Sequence, residues 1–175
     1  MDGVLATYDW SGYTEKVDGV PKYLTPGYFY EREPNPVAIE FFKECLRLFP
    51  NEVYIITTVP DGECRNRVVL DKLRWIDKYI KDFDIGTHAI CCTSNKMSFI
   101  EWIRGSTITK NDVLIDDYNT NLYSWFTRGG TAIKWLNGLN TKQSWHGPSI
   151  NQNDLFNSPS DLVKDLMNIL DRSRE

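Results

Sequence analysis

The stretch that most constrains this chain is Val113-Leu114-Ile115-Asp116-Asp117, in which three apolar residues run straight into two adjacent acids. An apolar run without alternation fits a strand buried on both faces, as in a parallel sheet covered by helices. Such sheets place their ligands just beyond the carboxyl ends of the strands. Two carboxylates there repel each other unless a cation stands beside them, and a hard divalent ion with oxygen ligands is the usual partner. The same acids, followed by Tyr118-Asn119, also make good turn chemistry. The rest of the chain has to choose between these readings.

Hydrophobic periodicity supplies the neighbouring elements. Asn35-Pro36 reads as a helix cap followed by proline in the first turn, with Ala38, Phe41, Phe42, Cys45, Leu46 and Phe49 on one face and Pro50 as the stop. Val53-Tyr54-Ile55-Ile56 reads as a strand ending in Thr57-Thr58, and Val59-Pro60-Asp61-Gly62 as the turn after it. Val69, Leu73, Ile76 and Ile80 mark an amphipathic helix over 66–81. A short strand at 88–92 leads to Lys96 and a brief helix around Phe99, Ile100 and Ile103. After the acids, Leu122, Trp125 and Phe126 suggest a helix closed by Arg128-Gly129-Gly130, and 131–136 another strand. Residues 138–157 read as polar loop, and Ser158 to Asp161 cap a last packing helix through Leu170. Residues 7–34, rich in Tyr, Gly and Pro, read as an irregular excursion with short helices.

Alternating strands and helices predict α/β architecture: one domain over 1–175, a three-layer sandwich around a Rossmann-like, mostly parallel sheet. With 175 residues and 41% apolar content the chain can bury a core. A net charge of −4 argues against a nucleic acid polymer as partner, though not against a small phosphorylated ligand. No apolar run approaches the roughly 18 residues of a membrane span, and no basic region leads into an apolar stretch at Met1. A cytoplasmic location is expected, no membrane partner is, and a homodimer stays open. Cys45, Cys64, Cys91 and Cys92 match no zinc spacing and read as reduced thiols.

Four expected element ends carry polar groups of one kind: Asp2-Gly3, Thr57-Thr58, Lys96 and Asp116-Asp117. Each alone is ordinary, since an Asp-Gly pair is usually a turn, a threonine a cap and a lysine a solvated charge. In this order they describe a phosphate site, with hydroxyls and amides for phosphoryl oxygens, a lysine to neutralise them and acids to hold Mg²⁺.

Asp2-Gly3-Val4-Leu5-Ala6, Ile55-Ile56-Thr57-Thr58, an isolated Lys96 and Leu114-Ile115-Asp116-Asp117 resemble the four motifs of the haloacid dehalogenase (HAD) superfamily of phosphohydrolases. The pattern is most similar to the 5′(3′)-deoxyribonucleotidases of the cytosolic type C 5′-nucleotidase family, in which a short cap follows the first motif and Pro-Gly-Tyr-Phe precedes a helix, as at Pro26-Gly27-Tyr28-Phe29. The resemblance implies an HAD-like sandwich with a small helical cap at about 7–34 and Mg²⁺-dependent hydrolysis of a phosphomonoester, most simply a nucleoside monophosphate. It implies Asp2 as general acid/base and, through its carbonyl, a metal ligand. Gly3, Thr57, Thr58 and Lys96 become the phosphate-binding set, with Thr57 and Lys96 catalytic beside Asp2. Asp116 and Asp117 become the metal-binding acids, and which of them ligates directly stays open.

One departure matters. The family's nucleophile is an aspartate two residues before the acid/base, and counting back from Asp2 passes Met1. The nucleophile and the first central strand are therefore expected to lie outside this sequence, as in a fragment or a mis-assigned start, and little or no turnover is expected of the chain as it stands. A non-catalytic relative that binds a phosphorylated ligand is the alternative. Tyr8, Trp10, Tyr13, Tyr28, Phe29 and Tyr30 either line a lid over a base or pack the small cap. Arg65 and Arg67 could reach an anion but more simply start a helix, and neither His88 nor His146 reads as catalytic.

Overall fold

The computed structural model describes residues 1–93, 95–141, 143–153 and 158–174. Residues 1–6 make a tight loop instead of a strand: the Met1 carbonyl accepts the amides of Leu5 and Ala6 at 2.9 and 3.1 Å, and Gly3 donates its N–H to Ala6 O at 2.9 Å. The excursion that follows holds helix α1 (Trp10–Thr14), a hairpin of β1 (Lys16–Val17) and β2 (Val20–Pro21), and a 3₁₀ turn at Lys22–Leu24. Sequence periodicity gave no sign of the hairpin, whose Asp18-Gly19 turn has positive φ at both residues. The excursion ends where it starts, because Thr7 N–H bonds Glu33 O at 2.9 Å and Ala6 bridges Pro34.

Asp9 anchors this segment by capping α1 through the Ser11 N–H at 3.0 Å and by pairing with Arg32 at 2.5 Å. Burial pushes its carboxyl up, but the Ser11 bonds and the Arg32 guanidinium outweigh that and hold it at about 2. A depressed carboxyl contributes stability above its unfolded pKa and loses it as pH falls through the folded one. Asp9→Asn is expected to cost about 1 kcal/mol at neutral pH. In urea unfolding the gap to the parent should close as pH falls from about 4 towards 2; a gap that stays constant would refute the pairing.

Helix α2 (Pro36–Leu48) begins as expected, with the Asn35 side chain accepting Ala38 N–H and proline in the first turn. Strand β3 (Ile55–Thr58) starts at Ile55 instead of Val53. Helix α3 (Arg65–Tyr79) buries Val68, Asp71, Lys72, Trp75 and Ile76, a face rotated from the expected one, so Val69 and Leu73 sit half-buried at its margin. Helix α4 (Ile85–His88) leads into β4 (Ala89–Cys92), which lies parallel to β3 with Thr57 opposite Cys91. Helix α5 (Lys96–Arg104) starts at Lys96 itself, capped by Asn95.

Strand β5 (Val113–Asp116) ends at the first of the two acids, and helix α6 (Asn119–Thr127) returns the chain to β6 (Thr131–Leu136), parallel to β5. The expected polar loop contains a further short strand, β7 (Ser149–Asn151), parallel to β6; residues 142 and 154–157 of that loop lie outside the described set. Pairing along the ladder of β6 and partial burial, not an apolar run, make Ser-Ile-Asn a strand. Helix α7 (Pro159–Arg174) closes the chain, with Ser158 and Asp161 exchanging cap hydrogen bonds.

The described residues thus form a mixed α/β structure with two sets of parallel strands, β3-β4 and β5-β6-β7, and no barrel among them. Neighbouring strand residues face different apolar clusters. Ile55, Ile133 and Trp135 pack with Phe41 and Phe42 of α2 and Leu162 of α7, while Leu114 and Ala132 pack with Trp125 of α6, Ile56 and Ile100 of α5. The four cysteines are free, and burial pushes the Cys45 thiol up to about 12. No described helix is long and apolar enough to cross a membrane.

Candidate functional site

The carboxyl ends of β3 and β5 meet at the loop carrying Asp2 and Gly3. On the β3 side the organiser is Lys72 of α3, almost fully buried. Its Nζ donates to Asp2 Oδ2 at 2.6 Å, Thr57 Oγ1 at 2.9 Å and the Thr58 carbonyl at 2.8 Å, and lies 4.3 Å from the centre of the Phe29 ring. Burial works against ionisation of Asp2, but the Lys72 ammonium holds its carboxyl below the ordinary carboxylate range.

On the β5 side Lys96 Nζ meets Asp116 Oδ2 at 2.6 Å, both side chains buried. Asp116 has two further donors: Oδ1 accepts the Tyr118 backbone amide at 2.8 Å and Oδ2 the Asn121 side-chain amide at 3.1 Å. Burial favours the neutral Lys96 amine, and the carboxylate of Asp116 overrides it and keeps the ammonium. Among the described residues no cationic side chain pairs with Asp117 at comparable distance. Burial and the neighbouring Asp116 push its carboxyl up to about 7.

Gly3 joins the two sides. Its φ of +77° is in the left-handed region, and a Cβ there would sit 2.0 Å from Asp117 Oδ2. Asn137 Nδ2 fastens the contact from β6's end, donating to Gly3 O at 2.8 Å and reaching Asp117 Oδ2 at 3.5 Å. Gly3→Ala is expected to cost about 1–3 kcal/mol through backbone strain and displacement of Asp117. Denaturant unfolding reads this directly, and an unaltered midpoint would show that Gly3 and Asp117 are not in contact.

The residues singled out from sequence therefore come together, Asp2, Thr57 and Thr58 through Lys72, and Lys96 with Asp116. Gly3 lies against Asp117. Sequence reasoning missed Lys72, Lys134 and Asn137. Lys134 lies buried in β6, donating to Asp117 O at 3.0 Å and to Asn119 Oδ1. The signal was there in both lysines, since each interrupts an apolar pattern: Lys72 four residues after Val68 and three before Trp75, Lys134 between Ile133 and Trp135. Lysine is almost never buried unless its charge is matched. The aromatic residues divide. Tyr28 and Phe29 are core, while Tyr8, Tyr13 and Tyr23 stack in a row with centroids 5.5 and 5.0 Å apart. Arg67 is used structurally, donating to Leu24 O, and His88 stacks on Tyr54.

Among the described residues no three His, Cys, Asp or Glu side chains are grouped to hold a metal ion by themselves. Two features still suit a cation: Asp2 Oδ1 is buried without a hydrogen-bond partner, and burial beside Asp116 opposes the charge of the Asp117 carboxylate more than the nearby cations relieve it. No protein-family model matches this chain, and no curated protein sequence matches it.

Proposed function

We propose that Asp2, Gly3, Thr57, Thr58, Lys96, Asp116 and Asp117 form a Mg²⁺-dependent phosphomonoesterase site of the haloacid dehalogenase kind. In this reading the strands and their flanking helices are a three-layer, HAD-like sandwich and residues 7–34 its cap, with a nucleoside monophosphate as the simplest substrate. The observation that carries it is the meeting of Asp2-Gly3 with Asp117 and, through Lys72, with Thr57 at the carboxyl ends of parallel strands. Thr57 and Thr58 would orient phosphoryl oxygens, Lys96 would neutralise them, and Asp2 would hold or release the proton of the leaving oxygen. Asp117 and Asp2 would hold Mg²⁺, with Asp116 steadied by Lys96; bound there, the ion would screen phosphoryl charge from the acids.

A second reading, phosphate binding without turnover, is favoured by Lys72, which already engages the Asp2 oxygen that would carry a proton. In that reading the site binds phosphate and leaves a phosphomonoester intact. Both readings require a ligand-dependent rise in stability. Mg²⁺ with inorganic phosphate at about a hundred times Kd should raise the thermal midpoint by roughly 5–10 °C. No rise with the pair, at millimolar concentrations of each, would sink both readings; robust Mg²⁺-dependent hydrolysis of a phosphomonoester would sink the second.

A further inference from the structure

Asn137 stands just past β6, and both ends of its side-chain amide are in use. Its Oδ1 accepts the backbone amides of Leu139 and Asn140, each at 3.0 Å, and so closes the turn at 137–140. Backbone N–H groups only donate, so Oδ1 must face the turn and Nδ2 must face away from it. There Nδ2 donates to Gly3 O at 2.8 Å and reaches Asp117 Oδ2 at 3.5 Å.

Gln152, just past β7, holds Asn137 from behind. Trp135 Nε1, a donor with no acceptor capacity, meets Gln152 Oε1 at 2.7 Å. The other end of that amide, Nε2, therefore donates to Asn137 O at 3.0 Å. Asn35, buried ahead of α2, gives its Nδ2 to the same Gln152 oxygen and to Val4 O at 3.0 Å. The donors thus run one way, from Asn35 through Gln152 to Asn137, and end on Gly3 and Asp117. The Asp117 backbone is held separately, its carbonyl accepting Lys134 Nζ at 3.0 Å and Asn140 Nδ2 at 3.3 Å. Closing the turn after β6 needs only Oδ1 of Asn137. Its Nδ2 serves the acids instead, and a bond as long as 3.5 Å aims the Asp117 carboxylate without neutralising it.

We propose that Asn137 is a positioning residue for a divalent cation: its amide holds the Asp117 carboxylate against the Asp2-Gly3 loop, so that Asp117 and Asp2 share one Mg²⁺. This rests on the reading of those two acids as the metal-holding pair. Outer partners of this kind orient metal ligands, and losing one typically costs about 10–100-fold in affinity. Mg²⁺ demands a near-octahedral shell, whereas Ca²⁺ accepts a larger and looser one. Releasing Asp117 should therefore weaken Mg²⁺ more than Ca²⁺, while a loss of stability alone should leave their ratio unchanged.

The test is calorimetric titration of the 175-residue protein with MgCl₂ and, separately, with CaCl₂. Asn137→Ser keeps a neutral acceptor for the turn and removes the Nδ2 donor. It is expected to raise the Mg²⁺ dissociation constant roughly tenfold or more, and that of Ca²⁺ less. Asn137→Asp keeps both Oδ1 bonds and sets an oxygen where Nδ2 stands; it should shift the preference towards Ca²⁺ too, and it serves if the serine variant does not fold. Asn35→Ser still caps α2 but loses its bonds to Val4 and Gln152, so it should lower the thermal midpoint and leave the ratio alone. Parental Mg²⁺ affinity in the Asn137 variants, equal loss of both ions, or the same change of ratio in Asn35→Ser overturns the proposal. So does a parent protein that binds no Mg²⁺, which takes the phosphomonoesterase reading with it only where Mg²⁺ and phosphate together also fail to raise the thermal midpoint.

Discussion

Lys96→Ala is expected to lower stability by about 3–5 kcal/mol, because it removes one partner of a buried ion pair and leaves the other behind. Asp116 is 3% exposed, and its remaining donors, the Tyr118 amide and the Asn121 side chain, are neutral. They cannot replace an ammonium at 2.6 Å. Affinity for inorganic phosphate should fall with it if Lys96 supplies the neutralising charge; an unchanged affinity would remove Lys96 from the site. The double replacement Lys96→Met with Asp116→Leu separates the contributions. It should recover part of the stability, since no uncompensated charge is left, while phosphate binding stays lost. Denaturant unfolding and phosphate titration of the same three proteins decide the matter.

Lys72→Met should cost about 2–4 kcal/mol for a related reason. One ammonium satisfies three oxygens, from Asp2, Thr57 and Thr58, and methionine fills its volume without offering a donor. Asp2 would then carry a charge opposed by burial, with one carboxylate oxygen already unpartnered. The structural consequence extends past the charge, because Lys72 is the only described side chain whose hydrogen bonds tie the Asp2 loop to the end of β3. A double-mutant cycle with Asp2→Asn is the clean measurement. Coupling of at least about 1 kcal/mol is expected, and strictly additive effects would mean the two side chains do not interact.

The acids closing β5 and the cap of α2 were legible because they are local. Asn35 caps a helix that begins at the next residue, and the apolar run before Asp116 forms a strand, although Val113 at its start is exposed instead of buried on both faces as expected. The same holds for the Ser158–Asp161 cap and for the alternation of elements that predicts parallel strands, which the β3-β4 and β5-β6-β7 ladders bear out. Where packing across the chain sets the outcome, local pattern failed. The face of α3 turned because Trp75 reaches the Arg32 carbonyl at 2.6 Å and Asp71 accepts the Gly27 amide at 2.9 Å, both from the distant excursion. Strand β7 exists because β6 offers it a ladder.

The candidate site divides along the same line. Sequence by itself determined which polar groups stand at the ends of elements, since strand and helix termination depends on residues within one turn of chain. Only the tertiary structure decided that Lys72, 70 positions from Asp2, lies between it and Thr57, and that Gly3 presses on Asp117. Those are outcomes of which surfaces exclude water together, and burial of that kind is a property of the assembled core that no window of neighbouring residues contains.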